Sequence, residues 1–147
     1  MQEELKISLD VKPVVAGEQT SGLRFFESRV QAGFPSPAQN EFADSIDLNR
    51  SLIINPAATF CARVIGDSMV DAGINEGDLL IIDRSLEPRD GSIAVCFLDG
   101  DFTVKRLSVR DDGVYLIPAN ASFPELRVTE DNNFVVWGVV SHIIKKV

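Results

Sequence analysis

The sequence predicts a mainly β domain, on three observations. Six segments rich in β-branched and aromatic residues are bounded by Gly, Asp, Asn or Pro: ATFCARVI (58–65), DLLIID (78–83), SIAVCFL (92–98), FTVKRL (102–107), GVYLIP (113–118) and FVVWGVVSHIIKK (134–146). Asp99-Gly100-Asp101 stands between two of them and supplies the Asp-Gly pair that a tight hairpin prefers, so those two strands should run antiparallel. Only one helix-start signature accompanies these runs, a short one ahead of them.

In chain order, the first 32 residues hold five acids, four bases, Gly17 and Gly22, with little periodicity beyond Leu23, Phe26 and Val30. They are expected to form a flexible arm, with a helical turn or a docking segment near its end. Ser36-Pro37-Ala38-Gln39 then places an N-cap serine, a proline at the first helical position and glutamine at N3. Phe42 and Ile46 fall on one helical face, so a short helix is expected to about Asn49, with Asn55-Pro56 closing the following connection. Cys61 and Cys96 sit inside strand-like runs, where a small thiol packs well. Two distant cysteines form no disulfide framework and are too few for a zinc site. His142, the single histidine, lies in the last strand and is expected to pack or to line an edge. Trp137 in the same strand needs no functional explanation.

A chain of 147 residues with 45% hydrophobic residues has material for one core. Its formal net charge of −8 lacks the phosphate-neutralising surface on which nucleic-acid affinity rests, so direct DNA binding is not expected. Lys145-Lys146 is expected as a solvated strand end. The N-terminus, MQEELKISLD, has no uninterrupted apolar stretch of the secretory kind. No apolar run approaches the roughly 20 residues that span a bilayer. A soluble, cytoplasmic protein without metal or cofactor is the expectation.

The candidate nucleophile is Ser68 in Val64-Ile65-Gly66-Asp67-Ser68-Met69, where a strand ends at glycine. The backbone N–H groups of Asp67 and Ser68 could face the oxygen that becomes negative in a tetrahedral intermediate. A serine needs a base, and one distant histidine makes no Ser-His-Asp arrangement; lysine is the other known partner. Period-2 alternation puts Lys105 with Thr103 and Leu107 on one side of its strand and Arg106 on the other. A partly buried lysine has a lowered pKa, because a low dielectric disfavours the ammonium form. Moving it from about 10.4 to about 7 takes on the order of 4–5 kcal/mol of desolvation. Taken alone, a serine such as Ser68 is more often a turn residue and a lysine such as Lys105 a hairpin lysine, and periodicity does not pair them.

VQAGFPSPA (30–38), GDSMVDAGINEGDLLIID (66–83) and DGDFTVKRL (99–107) strongly resemble UmuD-type SOS mutagenesis proteins, including plasmid-borne ones, and more distantly the C-terminal domain of the LexA repressor. The resemblance covers about residues 30–147; nothing aligns over 1–29. It implies a LexA C-terminal-domain-like β-fold and a self-cleaving serine/lysine peptidase, with Ser68 as nucleophile and Lys105 as general base. The family's scissile bond maps onto Ala32-Gly33. A small residue followed by glycine lets an extended backbone approach a serine closely, although Ala-Gly alone is simply a flexible joint. The arm 1–32 would be removed, leaving 33–147 as the peptidase-like and dimerisation domain. Also implied are stimulation by a RecA filament on single-stranded DNA, a processed homodimer, and a UmuC-like Y-family translesion polymerase as partner. Residues 33–147 keep seventeen acids and ten bases, which suits protein rather than DNA partners.

Three other functions compete. A LexA-like or phage repressor needs a helix-turn-helix before the cleavage site, which 32 residues without two amphipathic helices do not readily supply. A signal peptidase with the same dyad needs a membrane anchor. A non-enzymatic dimeric docking module, its dyad a relic, would keep the same residue types.

Overall fold

The computed structural model describes residues 8–13, 23–26, 42–67 and 69–147. These fall into two compact units, one within Met1–Val14 and Asn55–Val147, the other within Val15–Ile54. In the larger unit, strands β1 (Ser8–Pro13), β4 (Thr59–Arg63), β5 (Leu79–Asp83), β6 (Ile93–Leu98), β7 (Asp101–Arg110), β8 (Gly113–Ile117), β9 (Leu126–Arg127) and β10 (Phe134–Ile144) form one sheet. Its order is β1-β4-β5-β10-β6-β7-β8-β9, with every pairing antiparallel. The mainly β expectation holds. The last strand inserts between β5 and β6, so the sheet is completed only by pairing between distant parts of the chain, and β10 bulges at Val136/Gly138 and Val140/His142 where it does so.

The hairpin from β6 to β7 has the expected turn. Leu98 pairs with Asp101, leaving Asp99 and Gly100 as a two-residue loop. Their φ values of 49° and 92° are both positive, as a type I′ turn requires.

The sheet is apolar on both faces. Ala62, Val64, Leu80, Ile82, Val95 and Val104 form one cluster with Met69 and Ile74, two residues of the β4–β5 connection. Ala94, Cys96, Leu98, Leu107 and Leu116 form a second, against which Val128, Phe134 and Val136 pack. Consecutive burial of Ala94, Val95 and Cys96 in β6 reflects this double cover. Leu80 and Ile82 are fully buried, each contributing about 1.5–3 kcal/mol of transfer free energy. Trp137 is a packing residue, its ring edge-on to Phe60 (5.2 Å between centroids) and Phe102 (6.0 Å).

The smaller unit corrects the helix expected to run to about Asn49. Residues 42–46 are strand β3 (Phe42–Ile46), paired antiparallel with β2 (Leu23–Phe26). Helix α1 (Leu48–Leu52) begins afterwards. A spacing of four, Phe42 to Ile46, satisfies both the helical period and the strand period of two. The working cap is Asp47, whose carboxylate accepts the N–H groups of Asn49 (3.0 Å) and Arg50 (3.4 Å). Ser36 to Gln39 lie outside the described residues. Within the expected arm, Leu23 and Phe26 belong to a strand rather than a helical turn, and Ser8–Pro13 pairs with β4.

Candidate functional site

The connection from β4 to β5 carries the candidate nucleophile. Its base is closed by two backbone bonds, Val64 N–H to the Asp78 carbonyl and Gly77 N–H to the Val64 carbonyl, both 2.9 Å. Arg63 Nη1 also donates to the Gly77 carbonyl (2.9 Å). The buried Asp78 carboxylate accepts the Asn75 N–H (2.8 Å) and Lys145 Nζ (2.5 Å). Burial works to raise the Asp78 pKa, but the Asn75 N–H and the Lys145 ammonium outweigh it and hold the carboxyl below its ordinary value. Lys145 and Lys146 are exposed at the end of β10, as expected, and Lys145 in addition engages the buried Asp78 carboxylate.

Gly66, at φ 95°, turns the chain after β4 in a conformation that glycine adopts without a Cβ clash. Met69 is 3% exposed and fixed in the first cluster, a 3₁₀ turn follows over Val70–Ala72, and Ile74 re-enters the core. The tip of the connection is gripped by the chain leaving β8. Asn120 Nδ2 donates to the Asp67 carbonyl (3.0 Å), Ala119 N–H to Met69 Sδ (3.3 Å), and Asp71 N–H to the Ala119 carbonyl (2.7 Å). Ser68 itself, like Ala32 and Gly33, lies outside the described residues. Asp67 is exposed at the tip.

Lys105 is half-buried in β7, opposite Ala94 of β6. Thr103, opposite Cys96, and Leu107 share its face, as alternation predicts. Arg106, on the other face, is also half-buried and donates from Nη1 to the Gly91 carbonyl (2.9 Å). Burial pushes the Cys96 thiol up to about 12, and the Lys105 charge works against that rise. Ile117, the last residue of β8, pairs with Arg106, the neighbour of Lys105. Ala119 and Asn120, which hold the residues on either side of position 68, follow two and three residues later. The flanks of Ser68 and the strand of Lys105 are therefore tied to the same short stretch of chain.

Asn120 escaped the sequence reading. Its signal is the Asn-Ala-Ser run after Pro118, in which an asparagine side chain accepts from the backbone two residues on: Ser122 N–H donates to Asn120 Oδ1 (2.9 Å). Among the described residues, no three His, Cys, Asp or Glu side chains are grouped to hold a metal ion. His142 is half-buried on β10, with Nδ1 3.0 Å from Ser141 Oγ. No helix among the described residues is long and apolar enough to cross a membrane.

Residues 24–141 match the peptidase S24-like family, and the chain belongs to that family. Among its relatives, Protein ImpA of Salmonella typhimurium is 43% identical over 131 residues, 89% of each chain. Protein MucA of Escherichia coli is 39% identical over 137 residues, 92% of this chain and 93% of that protein. LexA repressor 2 of Pseudomonas syringae pv. tomato is 32% identical over 145 residues, 90% of this chain and 71% of the repressor. The resemblance to UmuD-type proteins, with LexA more distant, is borne out. The likeness extends further than expected, because an alignment of 131 residues in a chain of 147 reaches well ahead of residue 30.

Proposed function

We propose that this chain is a self-processing protein of the SOS mutagenesis type, a cytoplasmic serine/lysine endopeptidase acting on its own Ala32-Gly33 bond. Lys105 takes the proton from Ser68 Oγ as that oxygen bonds to the Ala32 carbonyl carbon. The resulting oxyanion is met by the backbone N–H groups of Asp67 and Ser68. Collapse breaks the bond to Gly33, whose nitrogen takes the proton back from Lys105, and water hydrolyses the ester left on Ser68. The observation that carries this reading is a common anchorage: Asp67 and Met69 are both bonded to the chain that leaves β8, whose last residue pairs with Arg106, the sequence neighbour of Lys105. Lys105 is half-buried, opposite Ala94 in the register, and membership of the peptidase family supports the chemistry.

In this reading a RecA filament on single-stranded DNA stimulates the cut, and residues 33–147 form a homodimer that serves a UmuC-like Y-family polymerase in translesion synthesis. The test is incubation with RecA, single-stranded DNA and a slowly hydrolysed nucleotide, followed by fragment masses, with a parallel incubation near pH 10, where even a modestly perturbed lysine loses its proton. Cutting after Ala32 in wild type, absent in Ser68→Ala and Lys105→Ala, is expected. An intact mass under both conditions would leave a docking module without peptidase activity. A boundary elsewhere would refute the bond and spare the dyad.

A further inference from the structure

We infer that Asn120 is a positioning residue for the oxyanion-binding peptide between Asp67 and Ser68. This rests on the self-cleavage reading. The Asp67 carbonyl, which accepts from Asn120 Nδ2 at 3.0 Å, belongs to the peptide unit whose nitrogen is that of Ser68. A trans peptide unit is planar, with its N–H opposed to its C=O. A hold on the carbonyl is therefore a hold on the direction of the N–H that the reading assigns to the developing negative charge. An oxyanion donor works through preorganisation: it must already point at the oxygen when charge develops.

The orientation of the Asn120 amide is settled by its other end. Oδ1 accepts the Ser122 N–H at 2.9 Å, so the donor end faces Asp67. Asn120 is further held because its own carbonyl accepts the Phe123 N–H (3.1 Å). The neighbouring Ala119 bonds Met69 and Asp71 on the far side of position 68. Asparagine suits the position because one short side chain must accept from its own turn and donate across to another. Aspartate and serine can do the first, since either side-chain oxygen can accept the Ser122 N–H. Aspartate, ionised, has no hydrogen to offer the Asp67 carbonyl, and the serine hydroxyl is one atom shorter.

The test measures self-cleavage of the full chain against pH, by fragment mass, in wild type, Ser68→Ala, Asn120→Ser and Asn120→Asp, with melting temperatures for each. Asn120→Ser adds no charge. Its plateau rate should fall roughly tenfold or more, less than the 100- to 1000-fold typical of losing an oxyanion donor outright, while the midpoint of its pH profile and its melting temperature stay near wild type. Asn120→Asp should lower the plateau likewise. A wild-type plateau in both variants overturns the inference, as does a shifted midpoint in Asn120→Ser or a loss that tracks a fall in melting temperature. If wild type is not cut, or Ser68→Ala is, the self-cleavage reading itself fails and this inference with it; wild-type cutting with unaffected Asn120 variants sinks this inference alone.

Discussion

Lys145 Nζ lies 2.5 Å from Asp78 Oδ2, and this pair joins the end of the chain to the base of the connection that carries Ser68. The acid is buried and the lysine side chain 41% exposed, so the pair is screened on one side only. Lys145→Met should destabilise the fold by about 1.5 kcal/mol, the lower end of the range for a hydrogen bond to a charged group. Because the folded Asp78 pKa is lowered, its stabilising contribution is present above the unfolded value of about 3.9 and is lost as pH falls through the folded value. Removing the cation brings the folded value up, so acid unfolding of Lys145→Met, followed by circular dichroism, should begin at higher pH than in wild type.

Cys96 sets a limit at the other end of the pH scale. Its thiol is buried with a pKa of about 12, so the folded protein at pH 8 holds about one thiolate in ten thousand there. In a thiol-reagent titration Cys96 should stay unreacted until denaturant is added. A raised folded pKa gives stability that is complete below the unfolded value and declines above it. Between roughly pH 9 and the folded value, this one group should cost on the order of 1 kcal/mol per pH unit, and alkaline melting curves should show the decline. Cys96→Ala should reduce that slope.

Gly138 has no room for a side chain. A Cβ built there would lie 2.6 Å from Ile82 Cγ2 and 3.4 Å from Arg84 Cγ. Ile82 is fully buried, and Arg84 is held by its bond to the Trp137 carbonyl (3.0 Å) and by its position 4.6 Å over the Trp137 ring. Gly138→Ala should lower stability by about 1–3 kcal/mol through overpacking, measurable by urea denaturation.

The Asp99-Gly100 turn is strained for other residues rather than crowded. Nothing lies within 4 Å of a Cβ at Gly100, but its φ is 92°. Gly100→Ala should cost about 1–2 kcal/mol from the backbone alone, seen as a lower melting temperature with self-cleavage at moderate temperature unchanged.

Strand positions in the larger unit were legible because β-branched runs are punctuated by turn residues, and Asp99-Gly100 fixed one register outright. Strand order was not, since nothing local in FVVWGVVSHIIKK says that it enters between β5 and β6. The helix placed ahead of Asn49 failed because Phe42 and Ile46 fit two periods at once, and Asp47 was the stronger cap. Around the site, Lys105 could be assigned its face from alternation. Asn120, Asp78 and Lys145 could not be found that way, because their roles depend on contacts across 53 and 67 residues of chain.

Strand β1 pairs with β4 through Ser8 with Arg63, Lys12 with Cys61 and Pro13 with Phe60. It lies on the arm side of the proposed cut, yet belongs to the same compact unit as residues 55–147. A cut between Ala32 and Gly33 would leave β1 and β4 paired but on separate chains, and would divide β2 from β3 in the same way. Two segments of one chain meet at an effective concentration set by the chain that links them. Once it is cut, the same pairing becomes a bimolecular equilibrium at the far lower concentration of free fragment. Pro13 brings no N–H to that pairing. The proposed processing would then run on two clocks, one chemical and one of dissociation, and the second would depend on dilution while the first would not.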